Sequence, residues 1–360
     1  MRARAAALCG LTLLSCVTGP APDLTPPAAP AGPSNQGQTL FTKEPSPLPA
    51  IDLRRISVSP KTLEPGDAGP VTLRFAAGDE TPVRLEILRE SGDLVRVYWV
   101  PRVGRTGVDI EWDGRDAEGE LVPTGVYLYR LYALDESGRV RGQYGDPALG
   151  GGEEVLAQKF TFDPQSGKIE FVLPEAARVR LRFGIQSLPI LRTYYSWEPL
   201  EAGRHTILWD GLDTSEKIRV VEHPKFRADL LAKSLPANAI LVRREAADTR
   251  DPCIELCFRI ELPDARGTTA KGQPLVGDEA SLRILVDDPK ERESLLESRF
   301  EVMIFLDTYY LYEEEDGAVP FNYRLDTRAL NPGPHLLTIN LLAYDQRIGV
   351  QTLEFVKVGP

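Results

Sequence analysis

Four carboxylates crowd one short stretch of the chain: Asp113, Asp116, Glu118 and Glu120. Carboxylate oxygens are ligands that Ca²⁺ prefers, so this stretch is a candidate calcium site. Its spacing differs from that of an EF-hand loop, in which ligands fall at alternate positions and end in a bidentate Glu. Aspartates in such turns also cap neighbouring backbone amides. We therefore predict a turn with a solvated acidic rim, and no metal site.

Motifs of catalysis do not occur in the sequence. It contains no Gly-x-Ser-x-Gly nucleophile turn, no His-Glu-x-x-His zinc motif and no glycine-rich phosphate loop. The three histidines, His205, His223 and His335, are scattered without the spacing of metal ligands. These observations predict a protein that is not an enzyme and that carries no cofactor.

Aromatic residues follow two apolar stretches of the chain. Trp99 comes directly after Tyr98, and Trp197 lies three residues after Tyr194. An exposed aromatic ring at a strand end is a platform for a sugar ring or a peptide. The other interpretation is that these rings are buried between sheets or against the next domain, and the tyrosines at 309, 310 and 312 leave the same two alternatives open.

Two cysteines, Cys253 and Cys257, lie in the body of the chain. On one straight strand their Cα atoms would be about 13 Å apart, whereas a disulfide requires about 7 Å or less. Pro252 provides a bend that would shorten this distance. We keep both alternatives, a disulfide and two buried thiols.

A repeated tripeptide organises the chain. Trp-Asp-Gly occurs twice, 97 residues apart, and each copy follows an apolar alternating run. Trp anchors a core, while Asp and Gly form a tight turn, so the repeat marks the end of a core strand in two copies of one fold. The residues are Trp112, Asp113 and Gly114 in the first copy, and Trp209, Asp210 and Gly211 in the second.

Short alternating segments surround the first copy and predict an antiparallel β-sandwich. Within it, Trp-Asp-Gly-Arg-Asp at 112–116 is followed by Gly-Val-Tyr at 125–127. This order resembles the FlgD-type immunoglobulin-like domain over residues 56–134. The resemblance implies an Ig-like sandwich with a structural or binding role and without catalytic residues. No hook-cap N-terminal region is recognisable, so flagellar assembly is not implied.

The repeat and the turn signals predict three globular domains. We expect FlgD-like Ig domains at 51–150 and 151–250, the second with a divergent end, and a C-terminal Ig-like domain at 251–360. In the second domain we predict a short helix or irregular segment at 225–233 and a last strand at 239–242. In the third we predict strands at 254–262, 281–286 and 300–306, a helix at 288–297, and a charged hairpin tip at 313–317.

The first residues have the features of an export signal. Arg2 and Arg4 precede a short apolar run that ends in Leu-Leu-Ser-Cys at 13–16. This resembles a bacterial lipobox and implies cleavage after residue 15 and acylation, with palmitate as an expected chain, of Cys16. The alternative is a secretory signal peptide with an incidental Cys. Residues 16–50 are rich in proline and predict a disordered tether that reaches up to ~100 Å in extended form.

Charge narrows the class of partner. The formal net charge is −11, which argues against nucleic acid as a partner, because nucleic-acid binding depends on basic patches.

The sequence predicts an all-β fold of tandem immunoglobulin-like antiparallel β-sandwiches after the tether. We expect a lipid-anchored protein of the bacterial envelope, at the periplasmic or surface face of the outer membrane. It would bind another envelope or surface protein, or alternatively an envelope glycan.

Overall fold

A computed structural model describes residues 52–64, 69–78, 80–243 and 254–359. The predicted signal peptide, the lipidation site Cys16, the tether and Cys253 lie outside the described residues. The described part is an all-β protein of three immunoglobulin-like β-sandwiches, each made of two sheets. Among the described residues, no helix has both the length and the apolar character that a membrane span requires.

The first sandwich packs a three-stranded sheet, β1-β3-β6, against a larger sheet that contains β5, β4 and β7 in that order. Its strands are β1 (Leu53–Ser59), β2 (Thr62–Leu63), β3 (Val71–Ala77), β4 (Thr81–Arg89), β5 (Leu94–Val103), β6 (Val108–Trp112), β7 (Gly125–Leu134) and β8 (Val140–Tyr144). In β4, Val83, Leu85 and Ile87 alternate inward and are fully buried. The sequence alternation predicted this core correctly, because successive strand side chains point to opposite faces.

The second sandwich repeats this plan. Its strands are β9 (Gln158–Asp163), β10 (Lys168–Leu173), β11 (Ala177–Ile185), β12 (Ile190–Leu200), β13 (Gly203–Leu208) and β14 (Phe226–Ser234), and a short 3₁₀ helix spans Val220–Glu222. The next strand in the chain is β15 (Ala239–Val242). The sheets are β13-β10-β9 and β12-β11-β14. They correspond to β6-β3-β1 and β5-β4-β7 of the first sandwich, so the duplicated fold extends to the strand order.

The divergent end of the second copy corrects two predictions. Residues 225–233 are not a helix or an irregular segment: β14 pairs with β11 at nine positions and takes the place that β7 has in the first sandwich. The predicted last strand at 239–242 exists as β15, but it does not belong to the second sandwich. It pairs antiparallel with β7 and parallel with β2, which makes it a strand of the first sandwich. β14 already fills the position beside β11, whereas β8 pairs only with residues 131–134 of β7 and leaves residues 125–128 for β15.

The third sandwich contains the described helix α1. Its elements are β16 (Arg259–Glu261), β17 (Leu275–Val276), β18 (Glu279–Leu285), α1 (Pro289–Ser298), β19 (Phe300–Leu306), β20 (Tyr309–Glu314), β21 (Phe321–Asp326), β22 (Gly333–Ala343) and β23 (Ile348–Lys357). The sheets are β16-β18-β21 and β17-β23-β22-β19-β20. The Asp288 carboxylate caps α1 by accepting from the amides of Lys290 and Glu291.

Two predictions for the third sandwich are wrong in part. The predicted strand at 254–262 is restricted to β16, because the residues before it contact the second sandwich. The predicted hairpin tip at 313–317 is displaced as well. The turn after β19 is Asp307-Thr308, and Glu313 and Glu314 complete β20.

The first and second sandwiches are joined by backbone pairing. Since β15 follows the last strand of the second sandwich, the chain crosses back and inserts β15 between β2 and β7. Asn238, just before β15, donates from its buried amide to the carbonyls of Tyr129 and Asp146. A strand that follows the second sandwich in the chain therefore completes a sheet of the first.

The second and third sandwiches are joined by buried polar contacts. Arg182 on β11 donates from Nη2 to both carboxylate oxygens of Glu255, at 3.0 and 2.8 Å, and to the carbonyl of Gln346 at 2.7 Å. The Arg182 and Glu255 side chains are 5% and 2% exposed. The Asn340 side chain on β22 pairs with both the N–H and the carbonyl of Ile190, at 3.0 and 2.8 Å. Buried groups paired in this way fix the relative placement of the two sandwiches.

Candidate binding surfaces

The two Trp-Asp-Gly turns have the same geometry. Trp112 is fully buried, and its indole Nε1 donates to the carbonyl of Arg115 at 2.9 Å. Trp209 donates in the same way to Leu212 at 3.0 Å. In both turns the Asp carboxylate (Asp113 and Asp210) accepts from the amide two residues later.

The glycines of these turns, Gly114 and Gly211, have φ of 81° and 80°, which only glycine adopts without strain. The two turns therefore place a tryptophan into each core.

Two of the four carboxylates in the candidate calcium loop, those of Asp113 and Asp116, accept from backbone amides of the same loop. Asp116 accepts from the amides of Glu118 and Glu120. Its counterpart Asp213 is buried and accepts from the amides of Lys217 and Ile218. Among the residues that the structure describes, no three acidic, His or Cys side chains gather as metal ligands do. These aspartates stabilise the turn that follows each tripeptide.

The two tryptophans of the candidate platform differ in exposure. Trp99 on β5 is 64% exposed, and the Arg84 guanidinium lies 5.7 Å from its ring centre. Trp197 on β12 is half-buried, and the guanidiniums of Arg178 and Arg180 lie 5.5 and 5.2 Å from its ring centre. Of the two tryptophans, only Trp99 therefore offers an open aromatic surface.

The edge of β20 carries two exposed tyrosines, one of which is more exposed than Trp99. Tyr309 and Tyr310 are 77% and 60% exposed, and Leu311 beside them is also exposed. Tyr312 instead turns inward and packs on Tyr323 with ring centres 4.7 Å apart. The sequence left burial and exposure open for these tyrosines, and the structure places the first two outside and the third against β21.

The turn between β19 and β20 is fixed by contacts to β22. Asp307 and Thr308, its two turn residues, both have positive φ, of 49° and 69°. Such a conformation suits Asp but is unfavourable for a β-branched Thr. The Asp307 carboxylate accepts from the Leu336 amide at 2.9 Å and bonds to His335 Nδ1 at 2.7 Å. These contacts to β22 fix the turn and thereby the position of β20.

Cys257 is disulfide-bonded, and Cys253 lies outside the described residues. Cys257 also donates its amide to Glu291 of α1 at 2.6 Å. The partner of Cys257 is therefore still a prediction from the sequence, where Cys253 is the nearest cysteine.

Sequence reasoning missed the residues that join the sandwiches. Arg178, Arg180 and Arg182 recur at every second position of β11, which places all three on one face of the sheet. That spacing is a signal for a cationic face that another part of the protein covers. Nothing in the sequence indicates that Glu255 is the covering residue, because 73 positions separate it from Arg182.

Comparisons with known proteins show no family. No family model matches the chain, and no curated protein matches it. A trypsin-activated alpha-2-macroglobulin from Escherichia coli is 13% identical with a TM-score of 0.20, and the match covers 86% of this chain and 23% of that one. A Ca²⁺-stabilised, ice-binding adhesin of an Antarctic bacterium is 11% identical with a TM-score of 0.20, covering 86% and 74% of the two chains.

The tandem repeat in the extending region of a large adhesion protein is 12% identical with a TM-score of 0.19, covering 85% and 75%. These similarities are low. The assignment of the fold therefore rests on the strands and sheets of this chain.

Proposed function

We propose that this chain is a non-catalytic protein of the bacterial cell envelope. Held by lipid on Cys16 at the outer membrane, it acts as a scaffold that binds another envelope or surface protein. The observation that supports a scaffold most is the way its sandwiches are joined. After the second sandwich the chain returns to add β15 to a sheet of the first, and a buried ion pair joins the last two sandwiches, so the described domains are held in fixed relation.

The localisation in this proposal is inferred from the sequence. Leu-Leu-Ser-Cys at 13–16 resembles a lipobox, and the following residues 17–50 are rich in proline. Several acyl chains on one cysteine anchor a protein stably, whereas a single chain does so only marginally. The resemblance of residues 56–134 to the FlgD-type Ig-like domain is in keeping with a structural or binding role.

Binding through an open sheet edge is the physical mode that we propose. An unpaired edge offers a row of N–H and C=O groups to an extended segment of another protein. Several edges of this chain are covered by its own loops. The amide of Ala117 donates to Val95 of β5, that of Thr214 to Leu191 of β12, and that of Val155 donates towards β14.

The edge of β20 differs from these covered edges. Among the described residues, no backbone group outside β19 bonds to the backbone of β20. The open β20 edge is the surface on which we expect the partner to dock.

Two experiments test this function in the source bacterium. For the anchor, wild type and Cys16→Ser are compared by membrane fractionation, and we expect only the variant to leave the membrane fraction. Retention of the variant in the membranes refutes the anchor. For binding, a photo-crosslinking residue replaces Trp99, Phe160 or Leu311 on three strands, with Glu136 in an exposed turn as the control position. A discrete adduct from a strand position and none from position 136 is expected, and no adduct from any strand contradicts the binding role.

The exposure of Trp99 favours one alternative, a carbohydrate-binding role. One side of its ring contacts Arg84, and the remainder is open to solvent. Open aromatic faces stack on sugar rings, since the ring is apolar and flat. A glycan array with wild type and Trp99→Ala distinguishes the two roles. Equal glycan binding by both proteins removes the carbohydrate hypothesis, and so does an absence of binding.

A further inference from the structure

We propose that the free edge of β20 binds a basic, extended peptide segment of a partner protein by strand addition. This inference rests on the proposed binding function and specifies its partner. The segment would run along β20, whose six residues correspond to about 20 Å of extended chain. A register shift interrupts the pairing of β20 with β19 between Tyr310 and Tyr312. Its backbone would pair with β20, and its Lys or Arg side chains would meet the tyrosines and carboxylates beside that edge.

The backbone geometry of the hairpin gives the edge its donors and acceptors. Leu306 and Tyr309 flank a two-residue turn and face each other across the hairpin. In such hairpins the flanking pair exchanges hydrogen bonds, and the next pair points its N–H and C=O outward. That next pair is Phe305 and Tyr310. We therefore expect the N–H and C=O of Tyr310 to face the free edge, ready for an incoming strand.

The side chains beside the edge favour cations. Glu313 and Glu314 end β20, and Glu315 and Asp316 follow it directly. Arg299 pairs with Asp316 at 3.5 Å. Among the described residues, no cationic side chain forms an ion pair with any of the three glutamates. An approaching Lys or Arg would thus find carboxylates that are not yet neutralised.

The carboxylates beside the edge also act on its tyrosines. Partial burial and the charges of Glu313 and Glu315 raise the pKa of Tyr310, and its hydroxyl lies 3.4 Å from the Glu313 carboxylate. The exposed rings of Tyr309 and Tyr310 also attract cations through their faces. A basic strand gains both contacts, whereas an acidic strand would be repelled by the carboxylates.

The turn behind the edge makes strand addition less costly. Asp307 is fixed by Leu336 and His335, so β20 has one defined position before a partner arrives. A preformed edge spares the ordering entropy that a loose loop would lose on binding. Only the incoming peptide would therefore lose conformational entropy on binding.

The test uses the full chain and synthetic peptides. Fluorescein-labelled eight-residue peptides of alternating lysine and valine are titrated by fluorescence anisotropy. The comparison peptides are an alternating glutamate and valine peptide and a block peptide with the lysines and valines separated. We expect the alternating basic peptide to bind more tightly than the block peptide, because only alternation matches the two faces of a strand. We expect no binding of the acidic peptide.

Two sets of variants locate the site. Glu313→Lys with Glu315→Lys should weaken binding of the basic peptide by at least about tenfold. The matched control, Glu118→Lys with Glu136→Lys, makes the same charge change in exposed turns of the first sandwich and should leave affinity unchanged. Tyr310→Pro removes the outward N–H and should also weaken binding, with melting temperatures checked for every variant.

Hydrogen exchange gives an independent readout that does not depend on a variant. The amides of β20 should exchange more slowly when the alternating basic peptide is added. Equal affinity of the two glutamate double variants overturns the inference, as does protection of β20 that grows with protein concentration alone, which would indicate a second copy of this chain. If crosslinks in the bacterium form from β5 or β9 and not from β20, the binding function stands and this inference fails.

Discussion

Removal of Arg182 tests how firmly the second and third sandwiches are joined. The Glu255 carboxylate at this junction accepts from Arg182 Nη2, from Ser196 Oγ at 2.5 Å and from the Ile348 amide at 2.7 Å. Burial lowers the pKa of Arg182, and the neighbouring Glu255 carboxylate opposes that shift. The burial and the opposite charges of Arg182 and Glu255 determine how much stability is lost when Arg182 is removed.

Arg182→Met keeps much of the apolar stem but leaves the Glu255 carboxylate buried without its cation. Breaking a buried ion pair by removing one partner costs about 3–5 kcal/mol. Because two other donors still bond to the carboxylate, we expect a loss of about 3 kcal/mol in the free energy of unfolding, at the low end of that range. For units of 150–250 residues this corresponds to a fall of about 6–12 °C in melting temperature.

The assay is urea unfolding followed by circular dichroism, with calorimetry to detect separate transitions. The matched control is Arg324→Met, which removes a pair with Glu279 that has the same chemistry but is exposed. Exposed pairs contribute about 0–1 kcal/mol, so the control should change little. The double variant Arg182→Met with Glu255→Gln should recover part of the loss, since no charge is then left buried.

A loss below about 1 kcal/mol in Arg182→Met, comparable to the exposed control, would refute the reasoning. It would mean that water reaches Glu255 and that the junction is not closed. The placement of the third sandwich would then not be fixed by this ion pair.

Three further predictions follow from the packing. Trp112→Ala should cost about 3–5 kcal/mol in urea unfolding, because it empties the centre of the first core; a cost below 1 kcal/mol would show that the Trp-Asp-Gly turn is not a core anchor. Asn340→Ala should cost about 1–3 kcal/mol, because both backbone groups of Ile190 lose their partner, and an unchanged stability would contradict that contact. Partial burial opposes charging of His335, yet its bonds to Asn331 and Asp307 outweigh this and raise its pKa. The stabilisation that His335 provides is thus complete below its ordinary pKa of about 6.5 and is lost as pH rises through the raised value; His335→Gln should remove this pH dependence of the melting temperature, and a persistent dependence would assign it elsewhere.

The strands of both copies were predictable because their information is local. Alternating residues such as Val83, Leu85 and Ile87 state which face is buried. The Trp-Asp-Gly turns likewise combine a core anchor, a cap and a positive-φ glycine within three positions. Such signals need no knowledge of the rest of the fold.

The divergent end of the second copy was not predictable in the same way. β14 contains Leu230, Leu231 and Ala232 in succession, a pattern that suits a helix turn as well as a strand. Its pairing with β11 decides between them, and that pairing lies some 40 to 60 positions apart in the chain. β15 shows the same limit, because four apolar residues indicate a strand but do not specify which sheet will accept it.

The residue types of the candidate surfaces were predictable from the sequence, but their exposure or burial was not. Tyr309, Tyr310 and Tyr312 lie within four positions of the sequence, yet Tyr309 and Tyr310 are exposed and Tyr312 packs on Tyr323. A register shift in the β19–β20 pair lies between Tyr310 and Tyr312. The junction of Arg182 with Glu255 depends on how two domains meet. Exposure and burial at such positions follow from long-range packing, which the local pattern does not contain.

The central claim is that this chain binds another envelope or surface protein at an open sheet edge, and one measurement tests it most directly. A photo-crosslinking residue at Leu311 is activated in the source bacterium, in the wild-type background and in the background of Glu313→Lys with Glu315→Lys. We predict one discrete adduct with an envelope or surface protein, strongly reduced in the charge-reversed background. An adduct of unchanged yield, an adduct only between copies of this chain, or no adduct at all would contradict the claim.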